Sequence, residues 1–197
     1  IRKSLGRFLS ILFIVALGVA FFSGIRASEP DMRLSGDSYF DDSSLMDIKA
    51  ISTYGVTDGD ISAMEETEGV AAAEGAYSTD VLYNTSDEQQ VLHLMSLQEE
   101  MNHVKVSKGR LPKEAGECMA DDEAGFQIGD KITMESGTED PLSDTLVTDT
   151  LEVVGLGNSP CYLSYGRGSS AVGDGSISAF LAVPEETFNM EFYTEVY

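Results

Sequence analysis

Nucleophilic catalysis needs a serine or cysteine beside a histidine base that a carboxylate orients. The chain offers two histidines, His93 and His103, and two cysteines, Cys118 and Cys161. His93 falls in the alternating run 89–97, QQVLHLMSL, and His103 follows Asn102 in a connector. Neither lies near a Gly-x-Ser-x-Gly turn, so both read as packed or solvated side chains, and the chain does not read as an enzyme. Cys118 and Cys161 read as small apolar thiols, with an extracellular disulfide as the alternative. No Cys-x-x-Cys pair marks a structural zinc site.

Acidic runs raise calcium. Candidates are Asp41-Asp42, Asp58-Gly59-Asp60 and Asp121-Asp122-Glu123. A calcium loop starting at Asp58 would need an acid-type ligand, a glycine and a glutamate where the chain has Ser62, Ala63 and Gly69. Asp58 and Asp60 instead suit the start of a helix capped by Thr57, and the other runs read as a solvated acidic face. The glycine-rich stretch Gly166-Arg167-Gly168-Ser169-Ser170, followed by Gly173-Asp174-Gly175, matches no phosphate-binding fingerprint. It reads as a mobile outer flap. Tyr162, Tyr165, Gly166, Arg167, Gly168, Gly173 and Gly175 are its candidate contacts with a partner or substrate. No residue is expected to bind a cofactor or a metal.

The elements that must position these residues follow from composition and periodicity. The chain has 197 residues, with 12 Lys+Arg against 34 Asp+Glu, for a net charge of −22. Such a surface has no footprint for phosphate backbones, which excludes nucleic-acid binding. At 42% hydrophobic residues the chain is no disordered tail. Charge is unevenly spread: residues 1–26 hold Arg2, Lys3, Arg7 and Arg26 and no acid. Between them runs 8–25, FLSILFIVALGVAFFSGI, without a charge. As a helix it spans roughly 27 Å, close to the thickness of a bilayer core. Phe8, Leu12, Ile14, Leu17, Gly18, Phe22 and Ile25 are its expected membrane-spanning residues. The basic start predicts a cytoplasmic N-terminus and an extracytoplasmic bulk. A signal peptide cleaved after Ala27 is the alternative, but the apolar run is longer than a signal core.

Beyond the span, 28–44 reads as an acidic linker. Strands are expected over 45–53, over 70–83 as a pair or one bent strand, and over 89–97, with a helix over 60–68 that Gly69 ends. These make a βαββ lobe over 45–103, antiparallel-rich with its helix on one face. Strands at 104–112, 131–135, 151–155 and 177–183 make a β-rich second lobe over 104–197, with a helix start after Pro184. The fold class is α+β, behind a basic start and membrane helix over 1–27. The chain is expected to be part of a longer polypeptide, its second lobe incomplete.

Taken in order, several segments resemble the N-terminal part of an FtsX-like (MacB-type) ABC transporter permease. They are KSLGRFLSILFIVALGVAFFSGI from Lys3, Pro30-Asp31-Met32-Arg33, Leu45-Met46-Asp47-Ile48, Ser52-Thr53-Tyr54-Gly55 and Thr57-Asp58-Gly59-Asp60-Ile61. Further along stand Gly109-Arg110-Leu111-Pro112, Gly116-Glu117-Cys118, Gly129-Asp130, Val153-Val154-Gly155 and Ser159-Pro160-Cys161-Tyr162 with its glycine-rich sequel. The resemblance implies an extracytoplasmic domain between the first two membrane helices, with a porter-like lobe and a small β-rich lobe. It implies a separate ABC ATPase subunit that uses the ATP, and a dimer of permease halves. The outer domain would relay movement of the membrane helix to an extracellular peptide, lipid or protein client, with acidity favouring a cationic one. The alternative is a single-pass anchored binding or sensor module without transport.

Overall fold

The computed structural model describes residues 4–85 and 88–197. Arg2 and Lys3 of the basic start lie outside them. The chain divides into two compact units, 1–42 and 43–197.

The first unit is one helix, α1 (Leu5–Asp42), 38 residues long and without a buried side chain. Its apolar window makes it long and apolar enough to cross a membrane. At ~1.5 Å per residue α1 measures roughly 57 Å, about twice the hydrocarbon thickness. The expected linker 28–44 is therefore helix as far as Asp42, a correction to the reading of polarity as irregular chain. Once the apolar stretch has nucleated a helix, each further residue adds a hydrogen bond at little cost. Glu29 and Arg33 also pair one turn apart at 3.3 Å. Pro30 sits inside α1, where it removes one backbone donor without ending the helix.

The second unit begins with a pinned corner. Asn102 N–H donates to Ser44 O and His103 N–H to Ser43 O, each at 2.9 Å, while Asn102 Oδ1 accepts from Met46 N–H at 3.1 Å. Ser44 and Asn102 are the two non-glycine residues with positive φ among those described. Then follow β1 (Ala50–Val56), α2 (Asp58–Glu65), β2 (Gly75–Ala76), β3 (Ser78–Asn84), β4 (Gln89–Ser96), β5 (Lys105–Gly109), β6 (Glu117–Asp121), β7 (Lys131–Ser136), β8 (Thr150–Asn158), β9 (Ile177–Val183) and β10 (Tyr193–Val196).

Six strands close into a mixed barrel in the order β8-β6-β9-β4-β3-β7, because β7 pairs with the first residues of β8 as well as with β3. β5 takes the same edge of β8 further along. The interior is apolar and fully buried, with Val81, Leu92, Ile132, Leu151, Val153 and Leu181 at its centre. Alternation puts the next residues of the same strands on the outer face. There Met95, Met119, Phe180 and Ala182 form a second buried cluster.

A smaller antiparallel sheet, β1-β10-β2, carries α2. Thr57 caps α2 as its residue type predicts: its hydroxyl accepts from Asp60 N–H, and the Asp60 carboxylate accepts from Thr57 N–H at 2.9 Å. Gly75 lets α2 come down on the sheet, since a Cβ there would stand 2.7 Å from Ile61 Cδ1.

The α+β class holds and most of the expected strands are present, but β1 starts at Ala50 rather than 45, β6 and β10 have no counterpart among the expected strands, the helix start after Pro184 is a single 3-10 turn (Glu185–Thr187), and the strand partners differ. The βαββ stretch does not make one sheet: β1 and β2 join β10, while β3 and β4 enter the barrel. The division at 103/104 cuts through that barrel, for β4 pairs with β9 and β3 with β7. The reason lies in β4. It buries Leu92 and Leu94 inside and Met95 outside, so it needs strands on both edges and cover on both faces.

Candidate functional site

The glycine-rich stretch runs from Ser159 to Ser176, between β8 and β9, and crosses the outer face of the barrel. It is tied down at three points, which departs from the free flap its composition suggests. The first tie is apolar: Tyr162 stacks on Phe180 of β9, ring centroids 5.1 Å apart and planes 11° from parallel. Burial pushes the Tyr162 hydroxyl well above its ordinary pKa.

The second tie is ionic. Arg167 is only 8% exposed. Its Nε donates to Asp121 Oδ2 at 2.5 Å and its Nη2 to Asp121 Oδ1 at 2.9 Å, a fork on a carboxylate at the end of β6. Nη2 also reaches Glu123 at 3.1 Å, and Nη1 donates to Ser164 O at 2.5 Å. The guanidinium stands 5.8 Å from the Tyr162 ring centroid, which joins the first two ties. The hydrogen bonds that Arg167 donates to Asp121 raise the guanidinium pKa further, so Arg167 keeps its charge.

The third tie is a small hairpin. Ser169 bridges Ser176, and Ser170 N–H donates to Gly175 O at 3.0 Å. Ser170 Oγ donates to Asp80 Oδ2 at 2.6 Å, and Asp80 Oδ1 meets His93 Nδ1 at 2.6 Å. Burial pushes the Asp80 carboxyl up, but the bonds from His93 and Ser170 outweigh it and the net shift is down. Gly173 (φ +60°) sits at the tip, where a Cβ would stand 2.5 Å from Val91 Cγ2. Serine, acid and histidine thus meet, but in the wrong order for acyl transfer. The acid lies between the other two, so the imidazole does not face the serine hydroxyl and cannot take its proton.

Between these ties the segment shows Leu163 and Tyr165 to solvent, Tyr165 at 93% exposure. Cavities of about 210 and 410 Å³ flank Arg167, both reaching Tyr165 and Glu123. Of the expected contact residues, Tyr162 and Arg167 serve as anchors, Gly168, Gly173 and Gly175 as positive-φ turns, and Gly166 and Tyr165 lie in the open. The membrane-spanning set, Phe8 to Ile25, lies on α1.

Sequence reasoning missed Asp121, Glu123, Asp80 and Ser170. Asp121-Asp122-Glu123 is not a solvated face: Asp121 and Glu123 hold Arg167, and Asp122 accepts from Ser107 at 2.7 Å and Asn158 at 3.0 Å. The available signal was an acidic run ending an apolar strand, opposite a lone arginine in a glycine-rich stretch. Cys118 and Cys161 are both free, as read, with Cys118 buried inside the barrel.

An apolar helix followed by an acidic α+β domain is the class these features define. No protein-family model matches the chain, and no curated protein does. Among solved structures, the chain is similar to the extracellular domain of the noncanonic ABC-type transporter YknZ from Gram-positive bacteria, at 12% identity and TM-score 0.44, over 74% of this chain and 73% of that one. It is also similar to the periplasmic region of MacB from Actinobacillus actinomycetemcomitans, at 13% identity and TM-score 0.40, over 72% of this chain and 63% of that one.

Proposed function

We propose that the chain is the first membrane helix and the extracytoplasmic domain of an ABC transporter permease of the MacB type. The observation that carries the reading is α1, which runs unbroken from its apolar window to Asp42 at the threshold of the folded unit. Helical structure up to Asp42, with Pro30 the one interior position that lacks a backbone donor, would carry displacement of the membrane part towards residue 43 in place of an irregular linker. Hydrolysis of ATP belongs to a partner ATPase subunit, and two permease halves form the working unit. The outer domain passes the movement on to an extracellular client. Leu163 and Tyr165, held out by the ties at Tyr162, Arg167 and Ser170, are the contact points on the glycine-rich segment.

The test uses the full permease polypeptide that contains this sequence, co-expressed with candidate ABC ATPases. It should co-purify with one of them and change its rate of ATP hydrolysis in the membrane. Two glycines inserted after Gly36 should leave the assembly intact but break the dependence of export on hydrolysis. Failure to recruit any ATPase, or export that ignores the insertion, contradicts the relay.

A further inference from the structure

β4 and β9 run parallel, and the chain leaving β4 is held to the end of β9 by Leu97 N–H, which donates to Val183 O at 2.8 Å. Beyond that bond the two chains part. Pro184 has no amide hydrogen to continue the ladder, and the turn Glu185–Thr187 starts there. After Leu97 the other chain turns at 99–101, where the Glu74 carboxylate accepts from the Glu99 and Met101 amides at 2.7 and 3.0 Å. The parting leaves a cavity of about 510 Å³, a volume typical of ligand sites. Tyr77, Leu97, Pro184 and Phe188 line it with buried or half-buried surface, and Glu99, Glu185 and Glu186 line it from exposed positions. Its apolar side is preformed: Phe188 stacks on Tyr77, ring centroids 5.4 Å apart, and bridges Leu146.

The charge of this cavity is one-sided. No residue lining it is basic, and among the described residues no basic side chain pairs with Glu99, Glu185 or Glu186. Other packed acids have such a partner: Lys49 for Glu195, Arg110 for Glu117 and Arg167 for Asp121, each at 2.5 Å. Burial, and then repulsion from Glu186, Glu99, Asp58 and Glu74, pushes the Glu185 carboxyl above its ordinary value. An arriving positive charge relieves that repulsion. An inorganic cation would make no use of the apolar side, and a neutral apolar ligand would leave the acids crowded. A long basic side chain uses both, laying its methylene stem on apolar surface while its head stays at the water's edge.

We infer that the cavity beyond the ends of β4 and β9 takes the lysine or arginine side chain of a polypeptide. Tyr77, Leu97, Pro184 and Phe188 receive the stem, and Glu99, Glu185 and Glu186 receive the charged head. The inference deepens the permease reading, on which it rests for the identification of that polypeptide as the client.

The experiment takes the 197-residue chain in an uncharged maltoside detergent and measures binding of a fluorescent peptide of alternating lysine and glycine. The peptide should bind, and its counterpart with acetylated lysines, which keeps the stem and loses the charge, should not. A counterpart with 2,4-diaminobutyrate, equally charged but two methylenes shorter, should bind at least about threefold more weakly. Glu185→Gln with Glu186→Gln should weaken binding of the lysine peptide by about tenfold or more, because charged hydrogen bonds are lost. Glu139→Gln with Asp140→Asn removes the same charge from exposed positions outside the cavity and should weaken it less than about twofold. Thermal unfolding of both double variants should match the parent. The inference is overturned by equal losses in the two double variants, by equal binding of the acetylated or the short-stemmed peptide, or by no binding of the lysine peptide. None of these outcomes touches recruitment of an ATPase, the test of the permease reading, and failure to recruit one leaves the measured binding standing.

Discussion

Arg167 and Asp121 stand 46 residues apart in sequence and make the most consequential side-chain pair outside the core. Their side chains are 6% and 1% exposed. A pair this deep contributes little net stability when intact, but removing one partner strands a buried charge. Arg167→Ala should therefore cost about 3–5 kcal/mol in chemical denaturation. Arg167→Lys should recover only part of that, because a lysine cannot fork onto the carboxylate. Acid acts on other carboxylates. The hydrogen bond from Arg110, with the Lys113 amide, pulls the Glu117 carboxyl from 4.5 down to about 2. A group depressed on folding contributes stability that is full above its unfolded value and lost as pH falls through the folded one. Urea midpoints should hold above pH 4.5 and drop towards pH 2, and Glu117→Gln should flatten part of that slope. Asp80, also depressed, adds to the same acid limb below its ordinary 3.8. At this scale little was legible beforehand: types and runs of charge showed in the sequence, but pairing over 46 residues follows from the path of the chain.

Elements were far more legible than their partners. The barrel strands expected over 89–97 and 177–183 appear within a few residues of those bounds, whereas β6 (Glu117–Asp121) is not among the expected strands. Thr57 as the α2 cap was readable because the cap and its acidic reply lie three residues apart. Thr57→Ala should cost about 1 kcal/mol, measured by thermal unfolding of the full chain. The misreadings share one cause, that local sequence does not say what an element packs against. Polar residues 28–42 looked like linker because nothing covers them, yet an uncovered helix is still a helix when it grows from a nucleated one. β1 and β10 meet between residues 137 to 146 positions apart in the chain, so no local pattern could have joined them into one sheet. α1 is where the functional reading is most exposed to test at this scale. Proteolysis at Arg33 in membranes should be slow while α1 is helical, and the two-glycine insertion after Gly36 should make it fast.

For the whole molecule, charge and hydropathy carried most of the information. All 34 acidic residues lie beyond residue 26, after a start that is basic and apolar. That asymmetry is a statement about sidedness, and it can be checked without knowing the client. Tyr165 is 93% exposed on the glycine-rich segment, so Tyr165→Cys places a reactive thiol on the acidic domain at a solvent-facing position. The native thiols give little background: burial pushes Cys118 up to about 12 and raises Cys161 as well, which keeps both out of the reactive thiolate form. The measurement is labelling of the Tyr165→Cys chain by a membrane-impermeant maleimide, in right-side-out and in inverted membrane vesicles. Rapid labelling of right-side-out vesicles alone is the predicted result. Labelling confined to inverted vesicles would put the acidic domain in the cytoplasm and contradict the proposal that it is the outer part of a permease.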